Sequence, residues 1–200
     1  MAPELPIAPA RDAGGDAVLI RTLARAFQDD PALSWILPDP ELRRLRLPRL
    51  FAVMIKADRR AGMILSAPNG EVVTLWRAPG QTKAGLVETL AEGWPMLRTF
   101  GRALGRAIMV SEAMAAHHPA PDDYWYLQYA GVDPAAQGKG WGGAAIRAGL
   151  AHAEAAGKPA LLETAKEANL AIYLRLGFEV LEEWQVPKGG PRFWTMVRPR

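Results

Sequence analysis

The sequence predicts one α/β domain, and three patterns along its 200 residues predict it. Residues 124–132 alternate bulky aromatic and aliphatic side chains, which is typical of a buried strand. A glycine-rich turn at 138–143 and a helix-forming run at 144–156 follow this strand directly. Amphipathic helical stretches precede it, and neither an internal repeat nor a low-complexity linker divides the chain. A chain of this length can bury one ample core, so a single α/β unit is expected.

The composition excludes several classes of protein. Half of the residues are hydrophobic and 22% are charged, which is ordinary for a soluble globular protein. No run of about 18 apolar residues occurs, so no membrane span is expected. Residues 1–15 lack the basic and continuous apolar regions of a secretory signal. The absence of cysteine excludes disulfides and thiol catalysis and favours a cytoplasmic location.

The charged residues favour an anionic small ligand over nucleic acid, a membrane or a metal. The net charge of +3 is mild. Arginines beside the apolar stripe at 41–60 leave a nucleic-acid or membrane face as an alternative to a solvated surface. Aromatic residues for base stacking are missing there, which favours the solvated surface. His117, His118 and His152 do not have metal-ligand spacing, so no metal site is predicted.

The elements before the central strand are predicted to be mainly helical. Residues 3–10 are expected to form an edge strand whose prolines limit its pairing. Helices are predicted at 15–28, at 41–60 and, as two pieces or one broken helix, at 82–115. Strands are predicted at 61–67 and 71–77, and Asn69-Gly70 between them indicates a tight hairpin.

The elements after the glycine turn are predicted to alternate between helix and strand. A helix at 140–156 is expected to end at Gly157. The remaining elements are a strand at 160–164, a short helix at 169–176, and hairpin strands at 178–186 and 192–197.

A strand that leads through a glycine-rich turn into a helix predicts a phosphate-binding site. The first N–H groups of a helix lack internal partners, and glycine lets a diphosphate approach them. The turn reads Gln137-x-x-Gly140-x-Gly142, without the Gly-Lys-Ser/Thr of a Walker loop or the spacing of a dinucleotide fold. Glycine clustering by itself leaves open a close helix–strand crossing that requires small residues.

Together with its flanks, this turn resembles the GNAT N-acetyltransferases. The matching residues are V-D-P-x-x-Q-G-x-G-x-G at 132–142, LLET at 161–164, Asn169, Tyr173 and LGF at 176–178. The AFQDDP, VVTLWRAPG and P-x-GGP-x-x-W-x-M segments are similar to the puromycin N-acetyltransferase-like branch. The resemblance implies a mostly antiparallel sheet with a splayed parallel strand pair and an extra helical insertion before the central strand. Within one domain at 1–200, it places acceptor-side elements mainly at 1–122 and the acetyl-CoA-binding core with the C-terminal hairpin at 123–200.

The activity implied by the resemblance is direct attack of a primary amine of a small molecule on the thioester of acetyl-CoA, with no metal. The residues expected to contact acetyl-CoA are Ala130, Gly131, Val132, Gln137, Gly138, Lys139, Gly140, Trp141, Gly142, Gly143, Asn169 and Tyr173. Arg147 is available for a peripheral phosphate. Gly131 permits close approach of a ligand, and a strand bulge at Gly131 is an alternative.

Tyr173 and Glu163 are the candidate catalytic residues. Tyr173 is expected to protonate the leaving thiolate, because a phenol stays protonated at neutral pH. Glu163 is the preferred base, although it could instead pair with Lys166 or leave the proton to a chain of waters. His118 and Asp30 are weaker candidates for the base, because both lie on predicted loops.

The acceptor is expected to contact aromatic residues of the first 130 positions, namely Phe27, Trp35, Trp76 and Tyr126. Trp125 could replace Tyr126, since adjacent strand residues face opposite sides. Acetylation of a protein lysine or N-terminus and non-catalytic acyl-CoA sensing remain alternatives. The chain is expected to act as a monomer or a homodimer.

Overall fold

The computed structural model describes residues 5–10, 15–82 and 94–200. Its strands form one sheet in the order β1-β2-β3-β4-β5-β7-β6. Their bounds are β1 Ala8–Pro9, β2 Gly62–Ser66, β3 Val72–Arg77, β4 Trp125–Val132, β5 Ala160–Thr164, β6 Glu179–Gln185 and β7 Arg192–Arg198. Every neighbouring pair is antiparallel except β4 and β5, which are parallel. The predicted mixed, mostly antiparallel sheet is therefore confirmed.

Helices lie on both sides of this sheet. They are α1 Asp16–Ala26, α2 Pro31–Ile36, α3 Pro40–Ala61, α4 Trp94–Phe100, α5 Leu104–Ala116, α6 Trp141–Ala155 and α7 Leu170–Arg175. A 3₁₀ turn at Gly101–Ala103 separates α4 from α5, as expected for a broken helix in this region. The first part of that predicted helical stretch, residues 83–93, lies outside the described residues. Among the described residues, no helix has both the length and the apolar character needed to cross a bilayer.

The two faces of the sheet bury different residues of β3 and β4. Trp76 pairs with Leu127 in register, and both pack against Leu150 of α6. Leu75 and Tyr129 pack on the opposite face, where α1 to α5 lie. This alternation follows from the pleat of the strands.

The strands β4 and β5 separate after a short parallel contact. Trp125 to Leu127 pair with Ala160 to Leu162, whereas β4 continues to Val132 without a partner on that side among the described residues. The resulting gap opens one edge of β4. The register between β3 and β4 also shifts at this point, so Gln128 is an extra residue of β4.

A buried ion pair lies beside this irregularity. The Arg77 guanidinium is 2.6 Å from the Asp58 carboxylate, and both side chains are almost completely buried. Arg77 Nε also donates a hydrogen bond of 3.0 Å to Gln128 Oε1. Arg77 therefore connects α3 to the extra residue of β4 and fixes its side chain.

The structure does not support the alternative of a bulge at Gly131, which pairs regularly with Val73. A β-carbon at Gly131 would lie 2.9 Å from Leu23 Cδ2 and 3.0 Å from Ala26 Cβ. The absence of a side chain at this position lets α1 pack closely on β4.

Candidate active site

A cavity of about 590 Å³ lies between the sheet and the helices α2 to α5. Leu33, Met54, Met96, Phe100 and Val110 form an apolar wall on the helical side. Strands β4 and β5 supply the opposite wall, which is polar: Tyr126, Gln128, Tyr129, Glu163 and Thr164. The cavity therefore has the size and mixed lining of a small-molecule site.

The ionisable groups of this cavity are mainly acidic. Asp30, Asp122 and Glu163 line it together with His118, and its described lining contains no lysine or arginine. Asp30 accepts a hydrogen bond of 3.0 Å from the Leu33 N–H at the start of α2, so the helix cap points its carboxylate inwards. Burial raises the pKa of Asp30 above its ordinary value, while its backbone hydrogen bonds lower it. A cavity with this charge distribution favours a cationic ligand.

Glu163 is a buried carboxylate of the cavity, with a side chain that is 0% exposed. Its Oε2 accepts a hydrogen bond of 2.9 Å from Tyr126 Oη and lies 3.0 Å from His118 Nε2. Its Oε1 has no hydrogen-bond partner in the part of the chain that the structure describes. Burial, followed by the Glu163 charge, raises the pKa of Tyr126 well above its ordinary value, so Tyr126 remains a donor.

Tyr173 reaches the same cavity from α7, beside the gap between β4 and β5. Its residue is 8% exposed, and its ring packs edge-on against Phe178. Burial, with a smaller contribution from the charge of Asp30, raises the pKa of Tyr173 to about 12. The phenol is therefore protonated at neutral pH. Asn169, at the start of α7, also lines the cavity.

The glycine turn has the geometry of an anion-binding helix start. Gly138 and Gly140 have φ angles of 77° and 84°, which L-residues with a β-carbon rarely adopt. Gly140 precedes α6, and no side chain in the described part of the chain caps the N–H groups of that helix. The free N–H donors and the open edge of β4 fit the diphosphate and amide groups of acetyl-CoA.

The other residues predicted to bind acetyl-CoA surround this turn. Gln137 Nε2 donates to Val132 O at 3.4 Å, and Lys139 Nζ donates to Ala135 O at 3.1 Å. Trp141 is half-buried and packs against the cluster of Ala67, Val72 and Ala145. The remaining small residues are placed as follows: Ala130 lines the cavity, Gly142 faces Val132, and Gly143 faces Arg147.

The structure brings only two of the four predicted acceptor residues to the cavity. Phe27 lines it and packs edge-on against Tyr129, with ring centroids 5.4 Å apart. Tyr126 also lines it, whereas Trp125 packs on the opposite face of β4. This arrangement settles the choice between the two adjacent aromatic residues.

Trp35 and Trp76 do not line the cavity. Trp35 packs at its outer side, where the Arg106 guanidinium lies 5.2 Å from the ring centroid. Trp76 is fully buried between the sheet and α6, because its position in β3 gives it the same face as Leu127. The expectation that Trp76 contacts the acceptor is corrected accordingly, since the sheet separates its ring from the cavity.

Sequence reasoning did not identify several residues of the cavity. Tyr129 shares a face with Tyr126 only because Gln128 is an extra residue of β4, and no residue in the sequence marks that shift. Ser111 of α5 is buried, and its Oγ has no hydrogen-bond partner among the described residues. His118 was considered as a base, but its contact with Glu163 joins residues 45 positions apart. The described residues hold no cluster of histidines, cysteines and acidic residues that could bind a metal ion.

Comparisons with known proteins agree with this geometry. Residues 101–178 match the model of the Acetyltransferase (GNAT) family. An uncharacterized N-acetyltransferase of Schizosaccharomyces pombe is 26% identical over 167 residues, which cover 78% of this chain and 68% of that protein.

Two solved structures extend the similarity to nearly the whole chain. A Corynebacterium glutamicum protein described as histone acetyltransferase HPA2 and related acetyltransferase has a TM-score of 0.73 and 26% identity, over 96% of this chain and 94% of its own. Arylalkylamine N-acetyltransferase 2 of Aedes aegypti has a TM-score of 0.64 and 15% identity, and the match covers 97% of this chain and 98% of that protein. This similarity shows the shared fold. The chain is thus similar to GNAT-family acetyltransferases over residues 101–178, and its mostly antiparallel sheet with one parallel strand pair has the GNAT fold.

Proposed function

We propose that this protein transfers an acetyl group from acetyl-CoA to a primary amine of a small molecule by direct attack. The observation that carries this proposal is the enclosed acidic cavity, which Tyr173 and Glu163 both line beside the open edge of β4. Residues 1–122 mainly enclose the acceptor in this scheme, and residues 123–200 hold acetyl-CoA.

The uncapped start of α6 binds the diphosphate of acetyl-CoA. The left-handed conformations of Gly138 and Gly140 allow a phosphate oxygen to approach the N–H groups of the turn and helix. Lys139 and Arg147 contribute positive charge beside them. The stretch of β4 from Ala130 to Val132 lacks a strand partner on its β5 side among the described residues. Its backbone groups on that side are available to the pantetheine amides, which would pair as an added strand.

Acetyl-CoA supplies an activated acyl group as its thioester. The amine nitrogen forms the new C–N bond with the acetyl carbon as the C–S bond breaks. An ammonium acceptor gives up two protons overall, one to solvent and one to the coenzyme A thiol. Glu163 Oε1 is the proposed first acceptor for the released proton, because it faces the cavity without another partner among the described residues. Tyr173 donates its proton to the departing sulfur and takes up the second proton of the acceptor nitrogen, so that it ends the cycle protonated. Its raised pKa keeps the phenol protonated until the sulfur departs.

The cavity favours a small amine with an apolar body over a protein substrate. Its helical wall is apolar and its ionisable lining is acidic, so an ammonium group and a hydrophobic substituent can both be accommodated. The Aedes aegypti relative is an arylalkylamine N-acetyltransferase, which is consistent with such a substrate. The Corynebacterium glutamicum relative is described as a histone acetyltransferase, so a lysine side chain is the second candidate. The resemblance to the puromycin-acetylating branch adds puromycin to the compounds to be tested.

The decisive experiment measures thiol release from acetyl-CoA over a panel of acceptors. The panel contains phenylalkylamines, aliphatic diamines, puromycin, a lysine-containing histone peptide, and α-carboxylated counterparts of the phenylalkylamines. We expect turnover with apolar amines and at least 10-fold lower kcat/KM for their carboxylated counterparts, because the cavity lining is acidic.

The possible outcomes separate the candidate functions. Preferential turnover of the histone peptide would favour protein acetylation instead. Tight binding of acetyl-CoA by calorimetry without turnover of any amine would favour an acyl-CoA sensor. Absence of heat on addition of acetyl-CoA or coenzyme A would contradict both the transferase and the sensor.

A further inference from the structure

His118 lies between the buried carboxylate of Glu163 and the protein surface. The side chain of Glu163 is 0% exposed, whereas that of His118 is 15% exposed. Their contact, 3.0 Å between His118 Nε2 and Glu163 Oε2, is therefore the point where a fully buried acid meets a group that solvent reaches. The two residues come from separate elements, β5 and the loop after α5.

The second nitrogen of His118 faces another polar group. His118 Nδ1 lies 3.4 Å from Tyr124 Oη, at the beginning of β4. The imidazole also packs edge-on against Tyr126, with ring centroids 4.8 Å apart. These contacts orient the ring so that one nitrogen faces Glu163 and the other faces away from it.

The neighbouring residue fixes the loop that carries His118. The His117 ring stacks on Trp184 of β6, with a centroid distance of 4.3 Å and an interplanar angle of 6°. Its Nδ1 lies 3.0 Å from Glu182 Oε2. Trp184 in turn stacks on Phe193 of β7, which lines the cavity. The end of α5 is thereby attached to the β6–β7 hairpin, and His118 is held over Glu163.

We propose that His118 relays the released acceptor proton from Glu163 to solvent. This proposal rests on the proposed function, in which Glu163 Oε1 first takes a proton from the acceptor ammonium. The protonated carboxyl then passes a proton from Oε2 to His118 Nε2, and the imidazole, whose side chain is 15% exposed, releases one from Nδ1, beside Tyr124 Oη. One proton enters at Nε2 and one leaves from Nδ1, so the charges of Glu163 and His118 return to their starting values. Proton exchange of the imidazole with solvent then restores its starting tautomer before the next turnover, and no co-reactant is needed.

The relay explains how the buried carboxyl of Glu163 can lose its proton. A carboxyl with no exposed surface has no direct exchange with water, so its proton must leave through another group before the next turnover. Tyr126 Oη also contacts Glu163 Oε2, but burial raises its pKa well above the ordinary value, which makes it a poor proton carrier. His118 is the other described side-chain contact of Glu163 Oε2, and its imidazole can accept a proton at one nitrogen and release one from the other.

The experiment compares His118→Ala with the wild-type protein, with His152→Ala as the matched control on the exposed side of α6. The substrate is the best amine from the thiol-release panel. We expect His118→Ala to lower kcat about 100-fold, at the low end of acid–base effects, with acetyl-CoA affinity unchanged. Added imidazole should restore turnover in proportion to its concentration. Pyrazole, which has the same shape and is a far weaker base, should not.

A second variant separates proton relay from structural support. His118→Gln keeps an N–H donor for Glu163 but cannot carry a proton at neutral pH. We expect it to fold as the wild type does by circular dichroism and to lose turnover as His118→Ala does. It also serves as the test variant if the alanine variant does not fold.

The outcomes distinguish failure of the relay from failure of the proposed function. If the wild type is active and His118→Gln has the same kcat, the relay is overturned and the proposed transferase activity stands. Equal rescue by imidazole and pyrazole, or loss of turnover without rescue by imidazole, would assign His118 a packing role and overturn the relay. An inactive wild type would overturn the proposed function, and the relay with it.

Discussion

The two faces of the central sheet use aromatic residues in opposite ways. Trp76 fills the face beneath α6 so completely that a β-carbon on Gly149 would lie 2.2 Å from its ring. Tyr126 and Tyr129, on the opposite face, border a cavity of about 590 Å³. The same kind of side chain thus completes a core on one side and lines a site on the other.

Particular polar atoms also differ between the two faces, although Trp125 Nε1 on the α6 face is likewise buried without a hydrogen-bond partner among the described residues. On the α6 face, Trp76 Nε1 donates to Thr74 Oγ1 at 3.1 Å. On the cavity face, Glu163 Oε1 and Ser111 Oγ are buried without partners among the described residues. An unsatisfied buried polar group costs about 1–3 kcal/mol. The cavity face therefore keeps buried polar groups available to a ligand.

The largest effect is expected from Tyr173→Phe, which changes the cavity and leaves the packing almost intact. The substitution removes only the hydroxyl, so contact with Phe178 is retained. We expect kcat to fall about 10²–10³-fold, because the leaving thiolate loses its proton donor. Acetyl-CoA affinity and the melting temperature should stay near wild type. Steady-state kinetics and calorimetry measure these quantities, and unchanged kcat would remove Tyr173 as the acid.

Gly149→Ala is expected to have the converse effect, a loss of stability with little effect on catalysis. Alanine gains up to about 1 kcal/mol of helix propensity over glycine. Its β-carbon would nevertheless meet the immobile ring of Trp76, and such overpacking costs about 1–3 kcal/mol. We expect net destabilisation in urea unfolding and normal kcat for the folded fraction.

Two further variants isolate the contact between Gly149 and Trp76. Gly143→Ala lies on the same helix, and its β-carbon would approach only the flexible end of Arg147, at 3.3 Å. Its stability should be unchanged or slightly raised. Trp76→Phe should restore part of the stability that Gly149→Ala loses, and failure of this rescue would mean that another contact limits packing at Gly149.

Sequence predicted the fold best where local patterns determine it. The alternation at 124–132 and the glycines after it predicted β4, the turn and α6, which the structure contains with small changes at their ends. Strand β5 at Ala160–Thr164 has its predicted bounds. Hydrophobic period and turn residues are properties of short segments, so they can be recognised without tertiary information.

The cavity was harder to predict, because long-range packing assembles it. The alternation of β3 does not indicate which face of the sheet borders the cavity, so the sequence could not show that Trp76 packs beneath α6. The extra residue Gln128 reverses the facing of β4 beyond it, and the shift depends on contacts with Arg77. The contact of His118 with Glu163 likewise depends on the stacking of His117 on the β6–β7 hairpin. None of these contacts can be inferred from residues that are adjacent in the sequence.

A smaller effect is expected from Gly140→Val, which tests the glycine-rich turn between β4 and α6. The φ of 84° at Gly140 costs about 1–2 kcal/mol for a residue with a β-carbon. The new side chain would also project beside the free N–H groups of α6. We expect acetyl-CoA affinity to fall about 10-fold or more, measured by calorimetry.

Gly157→Val is the matched control for this backbone strain. Gly157 follows the other end of α6 with a φ of 63°, and nothing lies within 4 Å of its β-carbon position. It should lose comparable stability and keep wild-type acetyl-CoA affinity. Equal loss of affinity in both variants would mean that strain in α6, rather than its phosphate-binding start, governs binding.

The smallest effect is expected from Trp35→Ala, which tests where the cavity ends. Trp35 packs outside the lining and contacts Arg106, whereas Phe27 lies inside it against Tyr129. We expect Trp35→Ala to change the acceptor KM less than about twofold, since a side chain without substrate contact contributes no binding energy directly. Phe27→Ala should raise the acceptor KM about 10-fold, because it removes an aromatic contact worth roughly 1–2 kcal/mol. Steady-state kinetics with the preferred amine measure both values. A larger effect for Trp35→Ala than for Phe27→Ala would move the acceptor site outward along α2, and the acidic groups beside Tyr126 would then no longer be those that select the amine.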